Sequence, residues 1–237
     1  MLEDIARAAK YCMPHSLRNI VNLMAYEPSL CQFQSKHVDY VVMDDCKFYP
    51  SSLLTSLVRP RGAWFKGVQP TDTVLDVGAG IGSVAIPLAK IAKTVYAIEP
   101  LFHEELLANA ELNELKNIAC YPYALSSRHH KMKVSFAGKN AEVDTVPFSH
   151  LLHLKPDFLK VDAEGAEWLI HPEELLGIRE IRIEFHIRRG HVKRDRQKIA
   201  EYTSTLDSNG YKIKIMLGVH ESSLSFKTVD YFMTSYQ

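Results

Sequence analysis

Acidic residues stand at the ends of three short apolar segments of this 237-residue chain. Asp76 lies near the end of the first segment, Glu99 follows the second and Asp162 follows the third. Short apolar runs rich in β-branched residues are typical of buried parallel strands, and ligands of such sheets bind outside the carboxyl ends of the strands. The three carboxylates are therefore predicted to line one binding crevice.

Glycines follow the first segment at alternate positions, Gly78, Gly80 and Gly82, and Ser83–Ala92 continues with the apolar spacing of a helix. Glycine permits positive φ and lacks the Cβ that can block a ligand, and a helix start offers unpaired N–H groups. A dinucleotide fingerprint, G-x-G-x-x-G, requires glycine where Ser83 stands, so an NAD site fits poorly. The order D-x-G-x-G-x-G resembles the first motif of class I methyltransferases, which bind S-adenosylmethionine. The alternative is a glycine turn that binds nothing.

The second segment, Thr94–Ile98, ends at Glu99 and Pro100. Glu99 lies about twenty residues beyond the glycine loop, the separation at which an acid reaches a ribose hydroxyl. A carboxylate can accept hydrogen bonds from both ribose hydroxyls, and its charge strengthens them. Glu99 is therefore predicted to hold a nucleoside, the alternative being an ordinary acid at a strand end.

The stretch DFLKVDAEGAE places three carboxylates, Asp162, Glu164 and Glu167, after a predicted strand over Phe158–Val161. Burying unpaired carboxylates is unfavourable, so these groups need a cationic or proton-donating partner. Neighbouring carboxylates also raise one another's pKa, which suits a general base. The alternative is a solvated helix start, where acids are favoured.

A fifth strand is predicted for Glu180–Arg189, in which apolar residues alternate with charged ones. Glu184 and His186 are two residues apart, so they point to the same side of the sheet, towards the end that carries the crevice. We expect the pKa of His186 to lie near the working pH, so that the imidazole could accept a proton from a hydroxyl. The alternative is an edge histidine that faces a helix or water.

Composition argues against several classes of function but does not exclude nucleic acid as a partner. Lys+Arg and Asp+Glu balance at 28 each, which gives no electrostatic case for bulk binding of nucleic acid or membranes. The four cysteines form no C-x-x-C pair, which favours reduced thiols and a cytoplasmic location. No apolar run approaches the roughly 18 residues of a membrane span, and no signal peptide is expected. No metal site is predicted, because His150 and His153 lack a neighbouring carboxylate.

Two regions are expected along the chain. Residues 1–60 are predicted to form a helical extension that caps one end of the sheet, with helices over Leu2–Cys12, Ser16–Ala25 and Ser51–Val58. Residues 61–237 are predicted to form an α/β domain with a mostly parallel, seven-stranded, Rossmann-like sheet. Its last two strands, Tyr211–Leu217 and Thr228–Ser235, are expected to close the sheet as an antiparallel pair.

Taken together, the motifs resemble those of the FkbM-type methyltransferases. The resemblance covers about half of the chain and rests on LDVGAGIG (75–82), AIEP (97–100), YALSS (123–127), FLKVDAEGAE (158–167) and IEFH (183–186). It implies a class I methyltransferase fold, S-adenosylmethionine as methyl donor and transfer mostly to hydroxyl oxygen. The predicted cofactor site comprises Asp76, Gly78, Ala79, Gly80, Gly82, Glu99, Pro100, Ala124 and Asp162. The predicted catalytic residues are Asp162, Glu164, Glu184 and His186.

The expected acceptor is therefore a hydroxyl of a small molecule or sugar. One alternative is a methyltransferase of tRNA or other nucleic-acid bases, because GAGIGSVAIPLAK also resembles the loop of archaeal tRNA guanine enzymes. Base and amine methylases usually carry an N-P-P-[YF]-type motif after the fourth strand, where this chain has VDAEG. The other alternative is a non-catalytic domain that binds the cofactor, and the presence of all three strand-end acids argues against it.

Overall fold

A central sheet of seven strands organises the protein. The structure is a computed structural model that describes residues 40–49, 51, 62–187, 192–221 and 227–236. The strands of this sheet are β3 (Thr73–Val77), β4 (Thr94–Ile98), β5 (Ile118–Tyr121), β9 (Phe158–Val161), β10 (Glu180–Ile187), β11 (Lys212–Glu221) and β12 (Lys227–Tyr236). They lie in the order β11-β12-β10-β9-β3-β4-β5.

The sheet is mostly parallel, as predicted. Strands β10, β9, β3, β4 and β5 pair in parallel, whereas β12 is antiparallel to both of its neighbours, β10 and β11. The predicted closing pair of antiparallel strands is therefore confirmed. This seven-stranded arrangement is the class I methyltransferase fold, and it brings the carboxyl ends of β3, β4 and β9 to one edge.

Helices cover the two faces of the sheet. They are α1 (Gly62–Phe65), α2 (Ala85–Ala89), α3 (His103–Leu112), α4 (Phe148–Leu151) and α5 (Val192–Ser208), with short 3₁₀ turns at Leu152–Leu154, Ala166–Leu169 and Pro172–Leu175. The helix predicted from Ser83 is shorter than expected, because the chain between the glycine loop and Val84 forms turns instead. In the described part of the chain, no helix combines the length and the apolar character that crossing a bilayer requires.

A second, three-stranded sheet stands beside the first. It consists of β6 (Tyr123–Leu125), β7 (Lys131–Phe136) and β8 (Lys139–Val146), in the order β6-β8-β7. The alternation of Met132, Val134 and Phe136 predicts a strand over Lys131–Phe136, which β7 confirms. The sequence also predicts one strand over Ile118–Tyr123, and this prediction is wrong, because the chain leaves the main sheet at Pro122, which cannot donate a ladder hydrogen bond.

An antiparallel hairpin of β1 (Val41–Met43) and β2 (Cys46–Phe48) packs against α3. Cys46 and Phe48 are fully buried, and they join the core cluster that contains Leu106 of α3. The side chain of Asn113, just beyond α3, also pairs with both backbone groups of Lys47. Part of the expected N-terminal extension therefore belongs to the core, whereas the three helices predicted within residues 1–60 lie outside the described residues.

Strand β10 is buried on both faces. Its apolar residues Ile181, Ile183 and Phe185 face one core cluster, and the alternating Arg182 and Glu184 are buried as well. The predicted alternation is present, but the polar face is not exposed, because β10 lies between β9 and β12. Trp64 of α1 is buried near that face, with the ammonium of Lys160 lying 5.6 Å from the centroid of its ring.

Candidate active site

A cavity of about 990 Å³ opens at the carboxyl ends of β3, β4 and β9. This volume is at the upper end of the range for small-molecule sites. Of the residues predicted from the sequence, those that line it are Gly78, Ala79, Gly80, Glu99, Pro100, Ala124, Asp162 and Glu164. The opposite wall is the β7–β8 hairpin, and Leu101, Phe102 and Leu125 supply apolar surface. Asp76, Gly82, Glu184 and His186 are not among the lining residues.

Glu99 ties together the two loops at the mouth of β3 and β4. Its Oε2 accepts the backbone N–H of Gly80 at 2.8 Å, and its Oε1 accepts those of Leu101 at 2.8 Å and Phe102 at 3.0 Å. A carboxylate offers about four acceptor positions, so within the described chain these bonds leave one for a ligand. Glu99 therefore fixes the shape of the loops and keeps capacity for one further hydrogen bond.

Gly78 is required by the packing of the loop. Its φ is +76°, and a Cβ there would lie 1.8 Å from the backbone oxygen of Asp162. The sequence-based expectation was that the missing Cβ makes room for a ligand; the structure shows instead that it lets the loop touch the end of β9. Gly82, with φ +90°, is likewise packed against Leu106 and Ile86 of the neighbouring helices.

Asp76 lies below the cavity and is fully buried. Its Oδ1 is 2.8 Å from Nζ of Lys160, which also donates to the backbone oxygen of Gly78 at 2.7 Å. Burial opposes the charge of Lys160, but the carboxylates of Asp76, Asp162 and Glu184 outweigh it and raise the pKa of the ammonium. The pair thus holds the glycine loop from beneath, and Lys160, not Asp76, reaches the cavity wall.

His186 sits among three carboxylates. Its Nδ1 is 3.1 Å from Oε1 of Glu167, and its Nε2 is 3.6 Å from Oδ1 of Asp162 and 3.5 Å from Oε2 of Glu164. Burial lowers the pKa of His186, but the hydrogen bond and charge of Glu167 and the charges of Glu164 and Asp162 raise it to about 10. The expectation of a pKa near the working pH is therefore wrong, because sequence spacing did not place all three acids around one ring.

Glu184 lies apart from the lining residues and is largely buried, and its charge acts on Lys160. Glu164, in contrast to Glu184, lines the cavity: 52% of its side chain is exposed, and its φ is +52°. A non-glycine residue in the left-handed region is strained, and such strain concentrates at functional sites. The turn at Glu164 therefore directs a carboxylate towards the cavity at some cost in backbone energy.

Sequence analysis missed two contributors. Glu167 was noted as an acid but given no role; it is fully buried and accepts N–H bonds from His186 at 2.7 Å and Gly165 at 2.8 Å. The sequence shows its three-residue offset from Glu164 but not its pairing with His186, nineteen residues further along the chain. The alternation that predicts β7 gives no indication that this strand and the turn after it form a cavity wall.

Comparisons with known proteins agree with this architecture. The family model described as "Methyltransferase FkbM domain" matches residues 76–213. The 23S rRNA (uracil(1939)-C(5))-methyltransferase RlmD of Aliivibrio salmonicida is 34% identical over 95 residues, which are 35% of this chain and 21% of that protein. This chain therefore spans about a fifth of the length of that curated relative.

Two solved structures share the fold. Trm5b from Pyrococcus abyssi has a TM-score of 0.50 at 13% identity, covering 95% of this chain and 72% of that one. TYW2 from P. horikoshii, solved in complex with MeSAdo, has a TM-score of 0.50 at 15% identity, covering 100% and 99% of the two chains. At these identities the likeness concerns the fold alone.

Proposed function

This chain belongs to the methyltransferase FkbM domain family, and on that premise we propose that it methylates a hydroxyl oxygen of a small molecule or sugar. The family model covers residues 76–213 of 237, more than half of the chain. The protein is accordingly an S-adenosylmethionine-dependent methyltransferase. The proposal concerns the acceptor and the residues that act on it.

The cavity fits the cofactor in size and in the character of its walls. We assign the nucleoside end to the Glu99 side, where one acceptor position of the carboxylate and the backbone near Ala124 are available to a ribose and a base. Phe102 and Leu125 supply apolar surface for the base. The methionine end is assigned to the glycine loop and Asp162. When bound, S-adenosylmethionine supplies a methyl group on a positively charged sulfur, and the bond from this sulfur to the methyl carbon breaks as an acceptor oxygen bonds to that carbon.

The observation that carries the hydroxyl assignment is the carboxylate of Glu164 on the cavity wall, beside Asp162. A hydroxyl must lose its proton as it is methylated, and a carboxylate within hydrogen-bond reach can accept that proton. Of the predicted catalytic residues, Asp162 and Glu164 line the cavity, whereas Glu184 and His186 are not among its lining residues. We therefore assign proton acceptance to Glu164. Asp162 and the strained turn position the acceptor, and positioning contributes much of the rate in such reactions.

The test is transfer of labelled methyl from S-adenosylmethionine into fractionated cell extract by the purified full chain. Label is expected in the small-molecule fraction. Glu164→Gln should lower turnover by roughly tenfold to a thousandfold, given the usual contribution of a general base, without loss of cofactor affinity. The matched control is Glu173→Gln, an exposed acid of the nearby 3₁₀ turn, which should behave as wild type. Equal turnover in Glu164→Gln would remove Glu164 from the mechanism.

A methyltransferase of RNA bases is the second candidate. One curated relative is named as a methyltransferase of a 23S rRNA uracil, and a further match is named as an RNA methyltransferase. These names favour this candidate. Against it stand the zero net charge and the absence of an N-P-P-[YF]-type motif from the sequence, where VDAEG follows β9. Label confined to the RNA fraction, with none in small molecules, would decide for this candidate.

Two further expectations belong to the same proposal. Residues 1–60 are proposed to cap the pocket of a methyltransferase domain formed by residues 61–237.

The proposed location is the cytoplasm, where free thiols such as those of Cys46 and Cys120 stay reduced. Mass spectrometry of protein from cells, denatured and alkylated without reduction, should find both thiols modified by the alkylating reagent.

A further inference from the structure

Three side chains of different elements converge at the edge of the cavity: Asp162 after β9, Glu164 in the following turn and His186 near the end of β10. One donor atom from each lies within 4.8 Å of the other two. We propose that Asp162, Glu164 and His186 bind a divalent metal ion at the acceptor end of the site. This inference rests on the proposed function, because it places the ion beside the hydroxyl that is methylated.

The imidazole is held as a metal-binding histidine is held. In metal sites, the ring nitrogen that does not bind the metal usually donates to a carboxylate, which fixes the ring and its tautomer. Here Nδ1 of His186 is 3.1 Å from the fully buried carboxylate of Glu167, which also accepts the backbone N–H of His186 at 2.7 Å. Trp168 fixes the same residue by donating its indole N–H to the carbonyl of His186 at 3.0 Å. Nε2 is thereby left to face Asp162 and Glu164.

The three ligand atoms are close enough to share one ion after a movement of the side chains. Nε2 of His186 is 3.6 Å from Oδ1 of Asp162 and 3.5 Å from Oε2 of Glu164. Ligand atoms at about 2.0–2.2 Å from a shared tetrahedral ion lie roughly 3.4 Å apart, which is close to both histidine distances. The carboxylate oxygens of Asp162 and Glu164 lie within 4.8 Å of each other, so an approach of up to about 1.4 Å completes the set. Glu164 is on an exposed turn beside Gly165, which has φ +108°, so the carboxylate that must move is also the one with most freedom.

The donor set indicates the class of ion. Two carboxylate oxygens and one imidazole nitrogen suit a first-row divalent ion such as Mn²⁺, Fe²⁺ or Zn²⁺. Three protein ligands leave coordination positions open, which is the arrangement of catalytic sites. These positions face the cavity, since Asp162 and Glu164 both line it. A hydroxyl bound there loses its proton more readily, and Glu164 can ligate through one oxygen and accept the proton on the other.

Manganese binding to the full chain tests the inference directly. After treatment with a chelator, Mn²⁺ is titrated and the free ion is followed by electron paramagnetic resonance. One saturable site per chain is expected. Asp162→Asn and His186→Ala should abolish it, and Glu167→Gln should weaken it roughly tenfold to a hundredfold, as loss of an outer-shell partner does. Asp207→Asn, which removes an exposed acid of α5, should bind as wild type.

Folding and function are separated by two readouts. Each variant is checked by its thermal melting curve and by its affinity for S-adenosylmethionine. A folded wild type that binds neither Mn²⁺ nor Zn²⁺, or a folded His186→Ala that binds Mn²⁺ as wild type does, overturns the metal site. If the chelated enzyme still methylates its acceptor at full rate and binds no ion, methyl transfer stands and the metal site is wrong. If Mn²⁺ binds but no acceptor is methylated, the proposed function fails and the metal site stands.

Discussion

The acids at the carboxyl edge of the sheet are distinguished by their partners. Glu99 accepts three backbone N–H groups, Asp76 faces Lys160 from below, and Glu167 holds His186. Asp162 and Glu164 are left at the cavity wall. At the scale of the residue, five carboxylates that look equivalent in the sequence therefore divide into three that shape the site and two that face its contents.

Glu99→Gln is expected to weaken S-adenosylmethionine binding by about tenfold to a hundredfold. An amide cannot accept on both of its terminal atoms, so at least one backbone N–H of the two loops loses its partner, and hydrogen bonds to a charged group contribute about 1.5–3 kcal/mol. Isothermal titration calorimetry measures the change. Glu111→Gln, an exposed acid of α3, is the control, and equal affinities of the two variants would show that Glu99 does not support the cofactor.

Lys160→Ala should lower the free energy of unfolding by about 3–5 kcal/mol, because it leaves the buried carboxylate of Asp76 without its counterion. Urea denaturation followed by circular dichroism gives the value. The double variant Asp76→Asn with Lys160→Met should recover part of the loss, since it removes the charge as well as the partner. If the single and double variants lose the same free energy of unfolding, the charges of Asp76 and Lys160 are not coupled.

At the scale of the element, the glycine loop is held between β3, β4 and β9 by main-chain contacts. Gly78 and Ala79 both donate to the carbonyl of Ile98, at 2.9 and 3.2 Å, and Gly78 lies against Asp162. The loop that should carry the cofactor therefore takes its shape from the ends of its neighbouring strands and from the five-residue helix that follows, in which Ile86 donates its backbone N–H to the carbonyl of Gly82 at 2.9 Å.

Gly78→Ala should destabilise the protein and remove measurable cofactor affinity, because its Cβ would lie 1.8 Å from a backbone oxygen. Gly138→Ala is a matched control: its φ of +84° resembles the +76° of Gly78, but nothing lies within 4 Å of an added Cβ. The control should show only the strain of a left-handed alanine, about 1–2 kcal/mol. Chemical denaturation measures the free energy of unfolding of both variants, and calorimetry measures their cofactor affinity. If both variants lose the same stability and the same affinity, the protein relieves the clash at Gly78.

The elements were largely predictable because their information is local. Apolar runs predict β4 and β9 with their observed bounds, and the glycine spacing predicts the loop. Three features depend on contacts distant in sequence and were not predictable: the departure of the chain at Pro122 into a second sheet, the burial of the polar face of β10, and the pairing of Glu167 with His186. The family motifs identified the acids, but only the fold shows which of them share a partner.

At the scale of the whole molecule, the N-terminal hairpin and the glycine loop meet at α3. The side chain of Asn109 is fully buried; its Nδ2 donates to the carbonyl of Ile81 at 2.9 Å, and its Oδ1 accepts the backbone N–H of Tyr49 at 2.8 Å. One amide group on one helix therefore bonds to the glycine loop on one side and to the hairpin on the other.

Asn109→Ala should lower the free energy of unfolding by about 1–3 kcal/mol, because two backbone groups lose their partner. It should also weaken cofactor binding, since Ile81 belongs to the loop. Asn140→Ala, at an exposed position of β8, is the control. Denaturation and calorimetry measure the two effects, and an unchanged cofactor affinity in Asn109→Ala would show that the loop keeps its shape alone.

The Asn109 bridge makes the hairpin and the loop thermodynamically reciprocal. Stabilising one element should therefore stabilise the other, and the coupling free energy is the same in both directions. Amide protons of residues 40–49 should therefore exchange with deuterium more slowly once S-adenosylmethionine is added, although no residue of this hairpin lines the cavity. In the Asn109→Ala protein that slowing should vanish.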